Sequence, residues 1–325
     1  MRYKDKSINA FNPAQNINDI ILDSYIKRKT NKEKTKFINL LENYFSDRTS
    51  LKVDNQRRLF KNRNIIFGDV EKADIIFTAH YDTCAMSPMP NMMFGRNIIL
   101  FILYQLLFLI LFLIFAFYST VFLKILIPDA DIIMLFDIIS FVFLFQLLFG
   151  FKNTRNANDN TSGVLTIING IDKILESNGK IPDNVAFVLF DNEEKGLIGS
   201  GAFKRKYKTK DKLIINFDCV GDGKEIFLNY SKNVNNDIVD KINESFNTSN
   251  TEFNIKSCKI NKLLAASDYA IFKKAIGIFT IKKSKIFKIT YIPWLHTPFD
   301  RRCDNENINY LSDVMVDIIS NNTNN

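Results

Sequence analysis

The sequence contains two histidines, His80 and His296, and both lie in phrases that suit a metal ligand. His80 ends an apolar run in the phrase Ala-His-Tyr-Asp, and His296 opens His-Thr-Pro in a segment typical of a turn. Imidazole is the commonest metal ligand among side chains, and its charge changes near neutral pH. Each histidine alone is more often a structural residue than a ligand, so the residues around them must decide.

Acidic residues follow other predicted strands in the same way. Asp159 stands just before a helical pattern, Glu193 and Glu194 follow one apolar run, and Asp218 follows the next. Carboxylates at the ends of buried strands are costly unless they are paired, because an unpaired buried charge loses its hydration. A shared cation would pair them, so these residues and the two histidines predict a metal site.

The elements that position these residues alternate between strand and helix patterns. Apolar runs predict strands at residues 64–67, 74–79, 184–190, 213–217, 226–229 and 276–281, and helical spacing occurs at 16–26 and 36–45. Such alternation predicts an α/β fold with a largely parallel sheet covered on both faces. Ligands bind beyond the carboxyl ends of such strands, where His80, Glu193, Glu194 and Asp218 lie. The lysine-rich stretch 27–36 is predicted to be solvated or to contact anionic lipid.

An apolar block interrupts the pattern between residues 98 and 151. Residues 98–123 carry no formal charge and 132–151 carry only Asp137, and a polar turn containing Pro128 separates them. Both segments reach the roughly 20 apolar residues that a membrane-spanning helix needs, so they predict a two-helix transmembrane hairpin. The alternative is a buried helix pair in a soluble protein. A signal peptide does not fit, because the block begins far from the N-terminus.

The charges around the hairpin predict its orientation. A hairpin returns the chain to the side that it left, so the polar segments on both sides of it share one compartment. Arg96, Lys152 and Arg155 flank it there, whereas the turn carries Lys124 with two aspartates. The positive-inside rule then predicts a multi-pass membrane protein with its polar domain in the cytoplasm. The four cysteines show no paired spacing, in agreement with a reducing compartment.

Five phrases resemble family motifs in their order along the chain. They are Ala-His80-Tyr-Asp82, Asn-Asp159-Asn-Thr-Ser-Gly, Asn-Glu193-Glu194-Lys-Gly-Leu-Ile-Gly-Ser, Asn-Phe-Asp218-Cys-Val-Gly and His296-Thr-Pro. Together they resemble the dizinc aminopeptidases, a metallopeptidase family that also includes glutamate carboxypeptidases, glutaminyl cyclases and transferrin-receptor ectodomains. The resemblance covers residues 60–95 and 152–305. Each phrase alone is weak evidence, but five in order are specific.

The resemblance implies a role for each of these residues. One zinc ion would be held by His80 and Asp218, the other by Glu194 and His296, and both by a bridging Asp159. Glu193 would be the general base, and Asp82 would orient the imidazole of His80. Two such ions activate a shared water and polarise a carbonyl group.

The resemblance also implies the domain organisation. The expected fold is a three-layer αβα sandwich around a mixed, mostly parallel sheet, formed by residues 61–95 and 152–325. Residues 1–60 would form an N-terminal helical segment, and 96–151 the inserted hairpin. The family usually joins the motifs of His80 and Asp159 by a short loop. Because the hairpin replaces that loop here, the rim of the site is expected to lie close to the membrane surface.

The resemblance implies a zinc-dependent aminopeptidase acting on peptides with a free N-terminus, and the predicted hairpin would anchor it in the membrane. A glutaminyl-cyclase-like acyltransferase and a non-catalytic membrane scaffold are the alternatives. The net charge of +8 is not taken as a sign of nucleic-acid binding, because no recognition motif accompanies it. Some family members carry a tyrosine before the last histidine, where it helps to stabilise the tetrahedral intermediate. This chain has Leu295 at that position, and Tyr291 is a candidate substitute. The sequence leaves the oligomeric state open.

Overall fold

A computed structural model of the chain describes residues 16–57, 60–87, 91–94, 97–247, 252–259, 267–284, 286 and 288–323. The helices are α1 Ile17–Ser24, α2 Asn31–Phe45, α3 Ile98–Leu126, α4 Ile132–Phe149, α5 Gly163–Asn178, α6 Ile198–Lys206, α7 Asn236–Asn247 and α8 Asn305–Thr323. The strands are β1 Leu51–Arg57, β2 Lys61–Gly68, β3 Ile75–His80, β4 Asn91–Met93, β5 Val185–Phe190, β6 Leu213–Phe217, β7 Glu225–Tyr230, β8 Asn254–Lys259, β9 Ala275–Lys283 and β10 Thr290–Leu295.

The strands form one mixed sheet. Its main path runs β1-β2-β5-β3-β6-β9-β10-β4, and β7 joins β8 to β9 beside that path. The four central strands β5, β3, β6 and β9 are parallel. The pairs at both ends of the path are antiparallel. The α/β class is therefore confirmed, and the parallel arrangement holds for the centre of the sheet.

Helices cover both faces of the sheet. Successive side chains of a strand point to opposite faces, and β3 is buried along its whole length. Phe77 packs into a core cluster with residues of α2, α5 and α8. Its neighbour Ile76 packs into a second cluster with Phe203 of α6. The ends of β3 and its neighbours are therefore rigidly held between two apolar layers.

The N-terminal segment is built into the same domain. A capping box begins α2, in which Thr30 accepts a hydrogen bond from the backbone of Glu33 while the Glu33 carboxylate accepts one from the backbone of Thr30. The apolar face of α2 packs into the core through Phe37 and Leu41. β1 then pairs with β2 along its full length, so the predicted N-terminal helical segment also supplies an edge strand.

The prediction of a solvated lysine-rich stretch is wrong for two of its residues. Arg28 is fully buried, and its guanidinium donates to the carbonyls of Tyr81 and Tyr25 and to the Thr161 hydroxyl. Lys34 is 2 % exposed. Its ammonium donates to Asp191 at 2.5 Å and to the Asn192 amide oxygen at 2.9 Å. The burial of Lys34 was not apparent from the sequence because its partners, Asp191 and Asn192, lie far away along the chain.

We expect Lys34→Met to lower the free energy of unfolding by about 3–5 kcal/mol, because Asp191 would remain buried without its cation. Burial already raises the pKa of the Asp191 carboxyl despite the nearby Lys34. Denaturation followed through the fluorescence of the single tryptophan measures the change. The matched control is Lys173→Met, which breaks the pair with Asp313 on 31 % and 63 % exposed side chains. Lys173→Met should lower the free energy of unfolding by less than about 1 kcal/mol. An equal decrease in the two variants would contradict the prediction.

Two apolar helices, α3 and α4, lie between β4 and α5. Within the described residues, one helix, α3, is long and apolar enough to cross a membrane by length and composition, and α4 is shorter. They pack against each other through the rings of Phe112 and Phe143, whose centroids lie 4.4 Å apart. Lys124 closes the turn by donating to the carbonyls of Pro128 and Ala130. Most of the large apolar side chains of both helices are exposed.

Candidate metal centre

The ends of three adjacent parallel strands bring four of the predicted site residues to one edge of the sheet. His80 is the last residue of β3 and lies opposite Phe190, the last residue of β5. Glu193 and Glu194 follow within a few residues of that point, in a short 3₁₀ turn. Asp218 directly follows β6, on the other side of β3. The prediction that these residues converge at the strand ends agrees with this placement.

Asp159 reaches the same edge from the loop before α5. Gly163 allows that loop to approach β6, because a Cβ atom there would lie 2.5 Å from the Phe217 carbonyl oxygen. The Asp300 carboxylate accepts hydrogen bonds from the backbone amides of Asn158, at 2.9 Å, and Asp159, at 3.0 Å. Asp300 was not identified from the sequence, although it lies only four residues after His296.

His296 directly follows β10, the strand next to β9 in the sheet. Its φ is 59°, a left-handed conformation that is uncommon for residues other than glycine. The side chain of His296 is 35 % exposed, whereas that of His80 is 2 % exposed. The centre is therefore closed around His80 and open to solvent around His296.

The two oxygens of Asp159 face different histidines. Oδ1 lies 3.3 Å from His80 Nε2, and Oδ2 lies 3.2 Å from His296 Nε2. On the first side, His80 Nε2 lies 3.8 Å from Asp218 Oδ1. On the second side, His296 Nε2 lies 3.2 Å from Glu194 Oε2. The five predicted ligands thus form two groups that share one carboxylate.

Three of these four distances are close to the separation of two ligand atoms on one zinc ion, and the 3.8 Å distance is slightly longer. Zinc bonds to nitrogen or oxygen of about 2.0–2.2 Å in a tetrahedral site place ligand atoms about 3.3–3.6 Å apart. His80, Asp159 and Asp218 form one candidate metal-binding group, and Glu194 and His296 belong to another. Glu194 Oε1 is buried and has no hydrogen-bond partner among the described residues, as expected for an atom that binds a cation. The residues present therefore suit the metal.

Asp82 connects the two sides through the backbone. Its carboxylate accepts hydrogen bonds from the amides of Glu193, at 2.9 Å, and Glu194, at 3.3 Å. His80 Nδ1 lies 3.2 Å from the Asp82 carbonyl oxygen and 3.7 Å from its carboxylate. The nearer contact of the imidazole is therefore the main chain, while the carboxylate fixes the turn of the two glutamates.

The surrounding carboxylates favour protonated histidines when no metal is bound. Burial opposes the imidazolium form of His296, but Glu194 and Asp159 raise its pKa to about 9. Burial also opposes the charge on His80, yet Glu193 and Asp159 raise its pKa well above the usual value. In return, hydrogen bonds from both histidines hold the pKa of Asp159 well below its usual range, although burial acts in the other direction.

The two glutamates show the opposite shift. Burial, together with neighbouring acids, raises the pKa of Glu193 well above its usual value, although His80 opposes this. Burial and Asp159 raise the pKa of Glu194 to about 8, against the effect of His296. Because several acids share one buried volume, some of them hold protons when no metal is bound, and a cation would replace those protons.

Zinc affinity is expected to rise at least about tenfold per pH unit between about pH 6 and 8. The sign follows from His296, whose pKa of about 9 means that it binds a proton throughout this range and must release it to bind zinc. Competition with a chromophoric chelator, corrected for the chelator's own protonation, measures the slope. An affinity that stays constant across the range would show that the histidines carry no proton to displace.

Two further polar residues near the centre, Ser267 and Asp268, are not among the predicted ligands. Ser267 donates to Asp218 Oδ2 at 2.6 Å and accepts from the Asn216 amide at 3.1 Å, which fixes the orientation of the Asp218 carboxylate. Asp268 is fully buried, and both of its oxygens lack a hydrogen-bond partner among the described residues. Burial raises its pKa to about 7. The proposed role of Tyr291 remains a prediction.

The base of the apolar helix pair is joined directly to the His296 loop. Gln146 of α4 donates to the Met86 carbonyl at 3.1 Å, and the next amide, that of Ser87, donates to the His296 carbonyl at 2.7 Å. Ala85 and Lys152 form an antiparallel bridge between the outgoing and returning chain. The exposed side of the centre therefore lies close to the point where the helices leave the domain.

Comparison with solved structures identifies the fold. Porphyromonas gingivalis glutaminyl cyclase matches with a TM-score of 0.59 and 14% identity over 94% of this chain and 94% of that chain. A Zn-dependent exopeptidase from Parabacteroides distasonis gives 0.57 and 13% over 91% and 93%. The LapA aminopeptidase of Legionella pneumophila gives 0.54 and 13% over 93% and 67%. No curated protein matches the sequence.

A family model identifies the family of the chain. Residues 146–319 match the model of Peptidase family M28, which is more than half of the chain. The chain therefore belongs to Peptidase family M28. The resemblance predicted from the five phrases is confirmed.

Proposed function

We propose that this protein is a membrane-anchored aminopeptidase that uses two zinc ions. The observation that carries the proposal is the Asp159 carboxylate, whose two oxygens face His80 at 3.3 Å and His296 at 3.2 Å. His80 and Asp218 would complete one zinc site, and Glu194 and His296 the other. A carboxylate shared in this way sets the spacing of a two-metal site.

In the proposed reaction Glu193 is the general base. Two bound zinc ions would supply Lewis acidity and lower the pKa of water at the site. Glu193 would accept the proton of the attacking water and pass it to the leaving amine. Asp82 accepts a hydrogen bond from the Glu193 amide, which holds the backbone of this residue beside the site. The free N-terminus of the peptide would enter from the exposed His296 side.

Product analysis on a panel of peptides tests the reaction. An aminopeptidase releases the N-terminal residue with addition of water, whereas a glutaminyl cyclase converts N-terminal glutamine to a ring with loss of ammonia and no cleavage. Mass spectrometry of the products distinguishes the two. Cyclised glutamine peptides without release of free amino acids would replace the proposal by the acyltransferase alternative.

Metal analysis tests the non-catalytic alternative. The proposed enzyme should contain about two zinc ions per chain after purification in zinc-containing buffer. Substantially less than one zinc per chain would instead support a scaffold that has kept the peptidase fold for binding.

The helices α3 and α4 are proposed to form a transmembrane hairpin. At about 1.5 Å per residue α3 is about 43 Å long and α4 about 27 Å, close to or above the roughly 30 Å of a bilayer core. Their outward side chains are largely apolar and exposed, including Ile102, Phe117 and Phe141. Lys152 and Arg155 follow the hairpin, while Arg96 lies outside the described residues. This charge distribution supports a cytoplasmic peptidase domain.

Alkaline carbonate extraction tests the membrane anchor. The full-length chain should remain in the membrane pellet, because an integral hairpin is not released by high pH. A variant in which a short glycine-serine linker replaces residues 99–147 should become soluble. Release of the full-length chain by carbonate would show that the helix pair only binds peripherally.

A further inference from the structure

A cysteine lies on the open side of the metal centre. The sulfur of Cys84, a carboxylate oxygen of Glu194 and a ring nitrogen of His296 all lie within 4.8 Å of one another. Cys84 is 3 % exposed, and its thiol contacts the Asn156 amide oxygen at 3.4 Å. Its carbonyl accepts a hydrogen bond from the Asn153 amide at 3.3 Å, which fixes the main chain at this point. None of the family motifs includes this residue.

A second observation at the same place points to a bound cation. Glu194 has one oxygen, Oε2, at 3.2 Å from His296, while Oε1 is buried without a hydrogen-bond partner among the described residues. The Glu194 side chain as a whole is only 9 % exposed. A buried carboxylate oxygen that lacks a donor is costly, and a cation between Glu194, His296 and Cys84 would satisfy it.

We propose that Cys84 is a sulfur ligand of the second metal, beside Glu194, His296 and the shared Asp159. The inference rests on the proposed two-metal function. Zinc–sulfur bonds of about 2.3 Å and zinc–nitrogen or zinc–oxygen bonds of about 2.0–2.2 Å place sulfur about 3.5 Å from the other ligands. The three ligand atoms lie within 4.8 Å of one another, so small side-chain shifts would bring the sulfur to that distance from the other two. On binding, the thiol gives its proton to the buffer, and the thiolate forms the metal–sulfur bond.

The two metal positions would then differ in chemistry. The first, with His80 and Asp218, has only nitrogen and oxygen ligands, whereas the second gains a soft thiolate. Thiolates favour zinc and other soft cations over manganese or magnesium. Without a metal–sulfur bond, Cys84 would be a small buried apolar residue that fills space. These two roles predict different spectra for a cobalt-substituted protein.

The experiment is to replace zinc by Co²⁺ in the full-length protein and to record its absorption together with its cobalt content. A cobalt–thiolate bond gives an intense charge-transfer band in the near ultraviolet that nitrogen and oxygen ligands do not give. We expect the band in the wild type and in the matched control Cys258→Ser, whose cysteine lies on β8. Cys84→Ser should lose the band and bind the second cobalt ion about tenfold more weakly or worse.

The outcomes separate this inference from the proposed function. Two cobalt ions per chain without the band in the wild type would overturn the sulfur ligand and leave the two-metal site standing. A band that persists in folded Cys84→Ser would assign it to another thiol and also overturn the inference. Failure of the wild type to bind cobalt at all would overturn both proposals. If Cys84→Ser does not fold, Cys84→Ala takes its place in the same measurement, and absence of the band in the wild type overturns the inference without either variant.

Discussion

Replacing Glu193 with glutamine is expected to lower turnover of aminoacyl substrates about 10²–10⁴-fold while the zinc content stays unchanged. The amide of glutamine has nearly the same shape as the carboxylate but does not accept the proton of the attacking water. The backbone hydrogen bond from residue 193 to Asp82 is independent of this side chain, so the turn that carries Glu194 should keep its position. The loss should therefore appear in the rate of the chemical step.

The zinc content is the decisive second measurement. Glu193 also falls in a candidate metal-binding group with His80 and Glu194, so its side chain is close enough to be a ligand. If Glu193→Gln loses both activity and one zinc ion, Glu193 is a ligand and another group must be the base. Full activity would exclude it from both roles. Glu244→Gln, at an exposed position on α7, is the matched control and should leave rate and zinc content unchanged.

The central part of the fold was predictable from the sequence because its strands are short, continuous apolar runs. β5, β3 and β6 are buried at every position, as their apolar runs predict. The strands β1, β4, β8 and β10 were not predicted. β8, for example, contains only half-buried and exposed residues, so it has no buried apolar run that a pattern could indicate. Edge strands of this kind depend on their neighbours for hydrogen bonds more than on their own side chains.

The metal-ligand candidates were predictable for a different reason. Metal coordination requires a small set of residue types, and the ends of parallel strands bring them together, so local phrases identify them. The residues that support these candidates do not lie beside them in the sequence. Lys34 reaches Asp191, and Asp300 reaches the Asp159 loop, across long stretches of sequence that only the folded chain brings together. Lys34 is also a charged residue in a charged run, which suggests exposure unless its partner is known.

The second large effect is expected at Asp159, where asparagine should remove metal from both sites. A neutral amide cannot bring a negative oxygen to each histidine, and those oxygens now lie 3.3 Å from His80 and 3.2 Å from His296. Asp300 would still hold the backbone of the loop in place, because it accepts amide hydrogens and not the side chain of residue 159. The effect should therefore be loss of ligand charge without loss of the fold.

The comparison with Asp218→Asn makes the bridging role testable. Asp218 lies on the His80 side, so its variant should lose about one zinc ion per chain, whereas Asp159→Asn should lose nearly both. The affinity loss at Asp159 should exceed about 100-fold, the upper end for residues that only support a ligand. Asp183→Asn, on a 75 % exposed side chain, serves as the control. One firmly bound zinc ion in Asp159→Asn would mean that the carboxylate serves a single site and that the two metals are not linked through it.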